Sequence, residues 1–317
     1  MLYSHAVIAT PIFDRLNAAQ RAAARFGGRD EQGAFAAGPL LIVAGAGTGK
    51  TNTLAHRVAH LVLEGVSPQR ILLLTFTRRA AEEMTRRAQR IVAAVLDEKA
   101  AGDARNRMPV PAAAVKLPWS GTFHSLANRL IRRHAARVGL DPSFSVLDRG
   151  DAADLMDVVR HELGFSKSKQ RFPRKDVCLA IYSHRVNAQR PLADTLAGAF
   201  PWCAQWEKEL TQLYRTYIDR KLANQALDYD DLLLYWHAMA QDPALAAEMS
   251  SLFDQILVDE YQDTNALQAE ILYALRPSGA GVTVVGDDAQ SIYSFRAATV
   301  ENILNFPSSF APAANLI

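Results

Sequence analysis

Cysteine is nearly absent from the sequence, which has only Cys178 and Cys203 among its 317 residues. Two thiols cannot build a framework of several disulfides or supply all four ligands of a structural zinc site. We therefore interpret both as small, buried apolar side chains in a reducing compartment. Long apolar runs are lacking too, since none approaches the roughly 20 residues that span a bilayer. The N-terminus has no basic stretch followed by a sustained apolar run, so we expect no signal peptide, no membrane partner and a cytoplasmic location.

A strong excess of one charge is also missing, because 35 basic residues oppose 33 acidic ones and leave a net charge of +2. Taken as an average, this balance argues against a nucleic-acid partner. The charge is unevenly distributed, however. Residues 126–222 contain 17 basic and 11 acidic residues, a balance of +6, which leaves −4 for the rest of the chain. One internal segment is therefore basic and its flanks are acidic.

The sequence does have enough apolar residues for a core, at 49% hydrophobic and 21% charged, which excludes wholesale disorder and fibrous folds. Short apolar runs precede turn or glycine signals at 40–44, 71–75, 255–258 and 282–285, and helical patterns follow, as at 51–64 and 79–96. Such runs are typical of strands buried on both faces of a parallel sheet. Their alternation with helices predicts a doubly wound α/β domain.

The segment 126–222 differs from its flanks because its pattern is mostly helical, with loop signals around 164–173. The length of the chain predicts about two domains. We therefore expect an inserted helical, basic domain at 126–222 that interrupts an α/β domain formed by 1–125 and 223–317.

Two further stretches have a composition typical of loops. Glycine, three prolines and an alanine cluster at 97–118 indicate a surface loop. The stretch 165–175 contains five basic residues and two phenylalanines. It could contact duplex DNA or phosphate, although such charge runs are more often solvated loops.

The strongest local signal is the stretch AGAGTGKT at 44–51, which lies between an apolar run and a helical pattern. Small residues let backbone N–H groups surround phosphate oxygens, and a helix N-terminus adds donors and a favourable dipole. The spacing matches a P-loop, except that Ala44 takes the first glycine position. Lys50 would reach the β- and γ-phosphates and the Thr51 hydroxyl would ligate Mg²⁺. A glycine-rich turn without a ligand is the alternative. The predicted nucleotide-binding residues here are Ala44, Gly45, Ala46, Gly47, Thr48, Gly49, Lys50, Thr51 and Asn52.

A second apolar run, at 255–258, ends in the acids Asp259 and Glu260. Acids at strand ends are often merely solvated, but beside a P-loop they complete a hydrolytic site. Asp259 would hold Mg²⁺ through water, and Glu260 would polarise the water that attacks the γ-phosphate. The 209 positions between Lys50 and Asp259 exceed a minimal kinase-like domain and independently indicate an insertion.

With these residues in place, the chain resembles the UvrD/Rep/PcrA family of superfamily 1 DNA helicases. The resemblance rests on motifs in the family's order: LNAAQ at 16–20 (Q motif), AGAGTGKT at 44–51 (motif I), TFTRRAAEEM at 75–84 (Ia), GTFHS at 121–125 (Ib), DYDDLL at 228–233, DEYQDTN at 259–265 (II) and VGDDAQSIYSFR at 285–296 (III). The chain departs from the family pattern where Arg78 and Arg79 replace Asn-Lys, Phe295 replaces a tryptophan and Ala297 replaces a glycine.

The resemblance implies a RecA-like P-loop domain that uses ATP and Mg²⁺ to move along single-stranded DNA, usually 3′ to 5′, and to separate strands at junctions with duplex. It places such a motor in DNA repair or replication, with proteins of those pathways as partners. It also implies that Gln20 recognises adenine and that Gln290 senses the γ-phosphate. Aromatic faces for bases and polar or basic groups for phosphates suit this role. The residues expected to contact DNA are Phe76, Thr77, Arg78, Thr122, His124, Tyr293, Phe295 and Arg296.

The family's motor has a second RecA-like domain, and the sequence stops at 317 near the expected start of the connection to it. No later arginine motif is present to stabilise the γ-phosphate charge. We therefore expect an N-terminal portion of a helicase, without the second RecA-like domain, that does not unwind duplex by itself. The alternative is a non-catalytic regulatory module that binds nucleotide and DNA. A helicase–nuclease subunit would need nuclease carboxylates on a further domain.

Overall fold

A parallel β-sheet lies at the centre of the protein in a computed structural model, which describes residues 11–101, 110–167, 171–287, 289 and 301–317. Within these ranges, the sheet has six strands: β3 (Leu40–Val43), β4 (Ile71–Thr75), β5 (Ser120–Thr122), β8 (Gln255–Val258), β9 (Val282–Gly286) and β10 (Asn315–Leu316). They pair in the order β10-β3-β9-β8-β4-β5, and every pair is parallel. The expected α/β fold with a parallel sheet is confirmed, and its four apolar runs form β3, β4, β8 and β9.

Two short strand pairs lie outside this sheet. β1 (Gly28–Arg29) pairs antiparallel with β2 (Phe35–Ala36), and β6 (Ser145–Val146) pairs parallel with β7 (Ala226–Leu227). The second pair joins residues about 80 positions apart, so it ties the start of the helical segment to the chain that follows it.

The helices surround the sheet and fill the segment between β5 and β7. In chain order they are α1 (Ala18–Arg25), α2 (Lys50–Leu63), α3 (Arg78–Ala101), α4 (Phe123–His134), α5 (Arg149–Glu162), α6 (Lys175–Ala188), α7 (Leu192–Ala199), α8 (Glu207–Ala223), α9 (Tyr229–Gln241), α10 (Pro243–Ser251), α11 (Ala266–Leu275) and α12 (Glu301–Asn305). The expected domain boundaries fall inside α4 and α8, and the division itself stays a prediction.

Two hydrophobic clusters cover the two faces of the sheet. On one face, Leu40, Ile42 and Leu73 pack with side chains of α1, α2 and α3. On the other face, Leu72 and Val284 belong to a cluster that continues through α4, α9 and α11 into α5, α6 and α8. Buried side chains of β3, β4, β8 and β9 alternate between the two clusters, which explains why both faces of these strands are mainly apolar.

The expected surface loop at 97–118 is wrong in its first part. Helix α3 continues to Ala101, because Asp-Glu-Lys-Ala-Ala contains mostly good helix formers and no glycine before position 102. The Asp97 carboxylate accepts a hydrogen bond from the Val110 N–H at 2.6 Å, so positions 97 and 110 lie close together.

Cys178 and Cys203 are buried and form no disulfide, as expected for small apolar side chains. Along the described ranges, none of the helices combines the length and the apolar character that crossing a membrane requires.

Candidate nucleotide and DNA site

Parallel pairing brings the carboxyl ends of β3, β8 and β9 to one edge of the sheet. Val43 pairs with Gly286 and Val258 with Val284, so the segments that follow these strands start side by side. Ligands of open α/β sheets bind at this edge. The P-loop, the acidic pair and the residues after β9 therefore meet, although the P-loop is more than 200 positions from the other two in sequence.

The loop after β3 has the shape of a phosphate cradle. Gly47 and Gly49 have φ values of 73° and 88°, a left-handed conformation that glycine adopts without strain. The Thr48 hydroxyl donates to the Gly45 carbonyl at 2.7 Å, and the Ala44 N–H donates to the Gly286 carbonyl at 3.0 Å. These contacts fix the loop to β9 and direct it into the N-terminus of α2.

Lys50 is the first residue of α2, and its ammonium group is buried beside two carboxylates. Its side chain is 7% exposed. The Nζ atom lies 3.4 Å from Glu260 Oε2 and 3.9 Å from Asp287 Oδ2, and among the described residues it has no hydrogen-bond partner. The N–H groups of this buried ammonium are therefore available to donate hydrogen bonds to an anion that enters the site.

Thr51 and Asp259 bring two oxygen atoms together at the position expected for a divalent cation. The Thr51 hydroxyl donates to Asp259 Oδ2 at 3.3 Å. Burial, and then the neighbouring charge of Glu260, raise the pKa of Asp259 to about 6. A cation here would offset that burial cost, so the pair fits Mg²⁺, which takes few protein ligands and completes its shell with water and phosphate. In the described ranges no group of three or more acidic, histidine or cysteine side chains forms a ready metal site.

Glu260 is held in an unusual backbone conformation beside Lys50. Its φ is 51°, a left-handed value that is uncommon for a residue other than glycine and often occurs at functional sites. Gln262 Nε2 donates to Glu260 Oε2 at 2.7 Å, and Gln262 Oε1 accepts from the Asp287 N–H at 3.0 Å. A Cβ atom on Gly286 would lie 2.7 Å from Gln262 Oε1, so a larger residue at the end of β9 would displace this amide. Gln262 thus connects the acidic pair to the chain after β9.

A cavity of about 390 Å³ opens in front of Lys50. Six of the predicted nucleotide-binding residues line it, namely Ala46, Gly47, Gly49, Lys50, Thr51 and Asn52, together with Asp259 and Glu260. Ala44, Gly45, Thr48 and Gln20 lie outside this wall. Gln20 nevertheless contacts the P-loop, because its Nε2 donates to the Thr48 carbonyl at 2.7 Å.

Sequence reasoning missed Glu83 and Arg87, which line the same cavity from α3. Arg87 Nη2 lies 2.7 Å from Glu83 Oε1, an ion pair one helical turn long. Their spacing of four positions was visible in the sequence and predicts a shared helix face. Which way that face points depends on how α3 packs, and no local pattern shows this. Asp287 was missed as well, although it directly follows the apolar run of β9.

The described part of the predicted DNA-contacting set lies where β4 and β5 end. Thr77 and Arg78 are exposed at the start of α3, and the Thr77 hydroxyl accepts from the Ala80 N–H at 3.1 Å. Phe76 is half-buried. Thr122 is buried, and its hydroxyl caps α4 by accepting from the Ser125 N–H at 3.3 Å.

His124 is half-buried and contacts an aromatic ring that the sequence analysis had not assigned to DNA. Its ring lies 5.6 Å from that of Tyr229, at an edge-to-face angle of 66°. Tyr229 is 38% exposed at the start of α9. Gln290, Tyr293, Phe295 and Arg296 lie outside the described residues.

Comparison with known proteins identifies the family. A family model described as the UvrD/REP helicase N-terminal domain matches residues 28–311. The chain belongs to this family. It is 37% identical over 281 residues to the ATP-dependent DNA helicase PcrA of Leuconostoc citreum, and 34% identical over 287 residues to that of Bacillus subtilis (strain 168). The corresponding protein of Staphylococcus aureus (strain NCTC 8325 / PS 47) is 36% identical over 283 residues.

These matches cover 87 to 88% of this chain but only 34 to 35% of the relatives. The chain therefore spans about a third of the length of the curated helicases that it matches. The resemblance proposed from the motifs is confirmed at the level of the family.

Proposed function

We propose that this chain is the ATP-binding part of a DNA translocase, in which ATP hydrolysis drives movement along single-stranded DNA and strand separation at junctions with duplex. The observation that carries the proposal is Lys50. Its ammonium is buried at the head of a P-loop, faces a cavity large enough for a nucleotide, and has no hydrogen-bond partner among the described residues. A triphosphate supplies the acceptors that this group lacks.

Each side chain at the sheet edge has a role in that reaction. Lys50 would donate to phosphate oxygens, and Thr51 and Asp259 would hold Mg²⁺, which would supply positive charge to the phosphates. Glu260 accepts a proton from the attacking water, as its carboxylate lies at the cavity wall. Gln20 recognises adenine and Gln290 senses the γ-phosphate, as in the family motifs.

Phe76, Thr77, Arg78 and His124 would contact single-stranded DNA, and Tyr229 joins them because its ring touches His124. Thr122 would act through its backbone and its position, since its hydroxyl caps α4. Tyr293, Phe295 and Arg296 complete the proposed set. Aromatic side chains beside basic and hydroxyl groups are the combination that binds unpaired bases and their phosphates.

The family motifs further suggest 3′ to 5′ movement and a role in DNA repair or replication. We do not assign unwinding to the 317 residues alone, because the relatives named as helicases are about three times as long.

An ATPase assay with and without a single-stranded oligonucleotide tests the proposal. We expect hydrolysis that rises when the oligonucleotide is added and disappears in Lys50→Ala. Lys208→Ala, at an exposed position of α8, is the matched control and should behave as wild type. Binding of nucleotide and DNA without any turnover would instead support the alternative of a regulatory module. Hydrolysis that persists in Lys50→Ala would contradict the proposed site.

A further inference from the structure

Arg57 is a fully buried arginine in the middle of α2, the helix that begins with Lys50. Its relative exposure is 0%, and burial lowers its pKa to about 10. Among the described residues no carboxylate lies within ion-pair distance of its guanidinium, and its Nη2 atom has no hydrogen-bond partner. Burying an unpaired charge is unfavourable, so some other interaction must hold this group in place.

The guanidinium donates to backbone and hydroxyl oxygens of two other elements. Nη1 donates to the Phe26 carbonyl at 2.8 Å and to the Ala23 carbonyl at 3.2 Å, and Nε donates to the Thr283 hydroxyl at 2.8 Å. Ala23 and Phe26 lie at the C-terminal end of α1. Helix C-termini have free carbonyls and a partial negative charge, so this end of α1 serves as the counter-charge of Arg57.

All three elements joined by Arg57 lead to the nucleotide site. Helix α1 contains Gln20, α2 begins at Lys50, and β9 ends at Gly286, whose carbonyl accepts from the Ala44 N–H of the P-loop. Gln20 is three residues before Ala23, which places it about 4.5 Å along the helix from the first carbonyl that Arg57 holds. A shift of α1 would therefore move Gln20 relative to the P-loop.

The side-chain amide of Gln20 uses half of its hydrogen-bonding capacity among the described residues. Its Oε1 accepts from the Asn17 N–H at 3.0 Å, and its Nε2 donates to the Thr48 carbonyl at 2.7 Å. A glutamine amide has two N–H donors and two lone pairs on its oxygen. Within the described ranges, one N–H and one lone pair have no partner, and this is the combination that pairs with N7 and the N6 amino group of adenine. Guanine presents two acceptors at the same edge, so it would face the remaining lone pair.

We infer that Arg57 is a positioning residue for adenine selectivity: by holding the C-terminal carbonyls of α1 against α2 and β9, it fixes the distance between Gln20 and the P-loop. Arg57 lies two turns of α2 beyond Lys50, so it acts through Gln20 and has no contact with phosphate. The inference rests on the proposed ATP site and adds to it the origin of base discrimination.

The experiment measures the dissociation constants of Mg-ATP and Mg-GTP for the 317-residue chain and for Arg57→Met, whose side chain fills the same space without charge. We expect wild type to prefer ATP. In Arg57→Met the ATP constant should rise about fivefold to tenfold, the effect of losing one well-placed hydrogen bond, while the GTP constant changes less than twofold. Unchanged GTP binding also shows that the variant is folded and that its P-loop is intact.

Gln20→Glu provides the second arm, because a glutamate keeps the acceptor for the Asn17 N–H and loses the Nε2 donor. It should reduce the ratio of GTP to ATP dissociation constants as Arg57→Met does, and the double variant should reduce it no further. Arg57→Lys keeps the charge and part of the contact with α1, and we expect it to restore about half of the selectivity on a logarithmic scale. If Arg57→Met does not fold, a loss of selectivity of twofold to threefold in Arg57→Lys carries the test.

Equal weakening of ATP and GTP in Arg57→Met, or unchanged selectivity, would overturn the inference. A wild-type chain that binds both nucleotides equally would also overturn it while the proposed hydrolytic site stands. A wild-type chain that binds neither nucleotide would contradict the proposed function itself.

Discussion

At the scale of single residues, the contacts of Lys50 show what the proposed nucleotide site offers to a phosphate group. Its distances to Glu260 and Asp287 are 3.4 and 3.9 Å, both longer than the 2.7 to 3.2 Å of a hydrogen bond. The two carboxylates stabilise the ammonium electrostatically and leave its donors available. Gln262 restrains Glu260 through a 2.7 Å hydrogen bond, so the carboxylate that neighbours the cavity keeps a defined orientation.

Replacing Glu260 by glutamine tests its role as a proton acceptor. Glutamine retains the size and a hydrogen-bond acceptor for Gln262 but cannot take a proton from water. We expect DNA-stimulated hydrolysis to fall by about 10²-fold to 10³-fold, the usual contribution of a positioned base, while ATP binding changes little. Single-turnover hydrolysis and nucleotide titration measure the two effects separately.

Glu270→Gln is the matched control, because Glu270 lies on α11 and pairs with His237 at 3.2 Å, apart from the cavity lining. It should hydrolyse ATP at the wild-type rate. Undiminished hydrolysis in Glu260→Gln would remove Glu260 from the reaction.

The site residues that sequence could predict are those whose chemistry fixes both residue type and spacing. Lys50, Thr51, Asp259 and Glu260 meet this condition, since phosphate and magnesium demand a lysine, a hydroxyl and carboxylates at set positions. Arg87 does not, because its place in the cavity depends on the packing of α3. The contacts of Arg57 were equally invisible, since they join positions 31 to 226 residues apart.

At the scale of elements, a buried ionic cluster joins α8 to α9. Lys221 Nζ donates to Asp228 Oδ2 at 2.6 Å and to Asp231 Oδ2 at 2.5 Å. The Tyr217 hydroxyl donates to Asp228 at 2.8 Å, and the Tyr217 ring centre lies 4.5 Å from the ammonium. Lys221 is 1% exposed. One buried cation therefore compensates two buried carboxylates at the end of the helical segment.

Lys221→Met should destabilise the protein by about 3 to 5 kcal/mol, because it leaves buried carboxylates without a counter-charge. Urea unfolding followed by circular dichroism measures the loss. Adding Asp228→Asn to Lys221→Met should recover part of it, since one uncompensated charge is then removed. Lys208→Met, on the exposed side of the same helix, is the control, and a loss in Lys221→Met no larger than in this control would argue against the cluster.

A third buried carboxylate, that of Asp230, joins α9 to α6. Asp230 Oδ1 accepts from the Ser183 hydroxyl at 2.9 Å and from Asn187 Nδ2 at 2.7 Å, and Asn265 Nδ2 donates to Asn187 Oδ1 at 2.8 Å. Asn265 caps α11 directly after the acidic motif. The network therefore connects α6 and α9 to the segment that contains Asp259 and Glu260.

Burial, and then the charge of Asp228, raise the pKa of Asp230 to about 7. This value exceeds the unfolded pKa of about 4, so protonation of Asp230 stabilises the folded protein. That stabilisation is complete below pH 4 and is lost as the pH rises through 7. Asp230→Asn keeps an acceptor for Ser183 and Asn187 and removes the titration. Between pH 4 and 7 the free energy of unfolding of wild type should fall relative to Asp230→Asn by about 3 kcal/mol. Urea unfolding across this range checks the difference, and a constant difference would contradict the assignment.

The strands show how far the sequence determines the elements. The strands β3, β4, β8 and β9 were predictable from the sequence. Each is a short and nearly continuous apolar run, which is typical of a strand buried on both faces. β5 contains Ser120 and Gly121 and β10 contains Asn315, so their strand pairing depends on the neighbouring β4 and β3. The hydrogen bonds of Asp230 also depend on tertiary structure, because Ser183 and Asn187 are more than 40 positions away.

At the scale of the whole molecule, the parallel order of the sheet places three chemical groups at one edge. The P-loop follows β3, the acidic pair follows β8, and Asp287 follows β9, with the central strands in direct contact. The hydrophobic cluster on one face continues from the sheet into α5, α6 and α8, so these helices belong to the same core as the sheet that positions the candidate site. The net charge of +2 hides an uneven distribution of charge, because the basic excess lies in residues 126–222 and the rest of the chain is acidic.

The measurement that tests the central claim most directly is a titration of the 317-residue chain with Mg-ATP, carried out in parallel on Lys50→Ala. Charged hydrogen bonds contribute about 1.5 to 3 kcal/mol each, so the dissociation constant should rise at least tenfold in the variant. Thermal unfolding provides a second readout, since ATP should raise the unfolding temperature of wild type more than that of the variant. Equal affinity of wild type and Lys50→Ala for Mg-ATP would contradict the account.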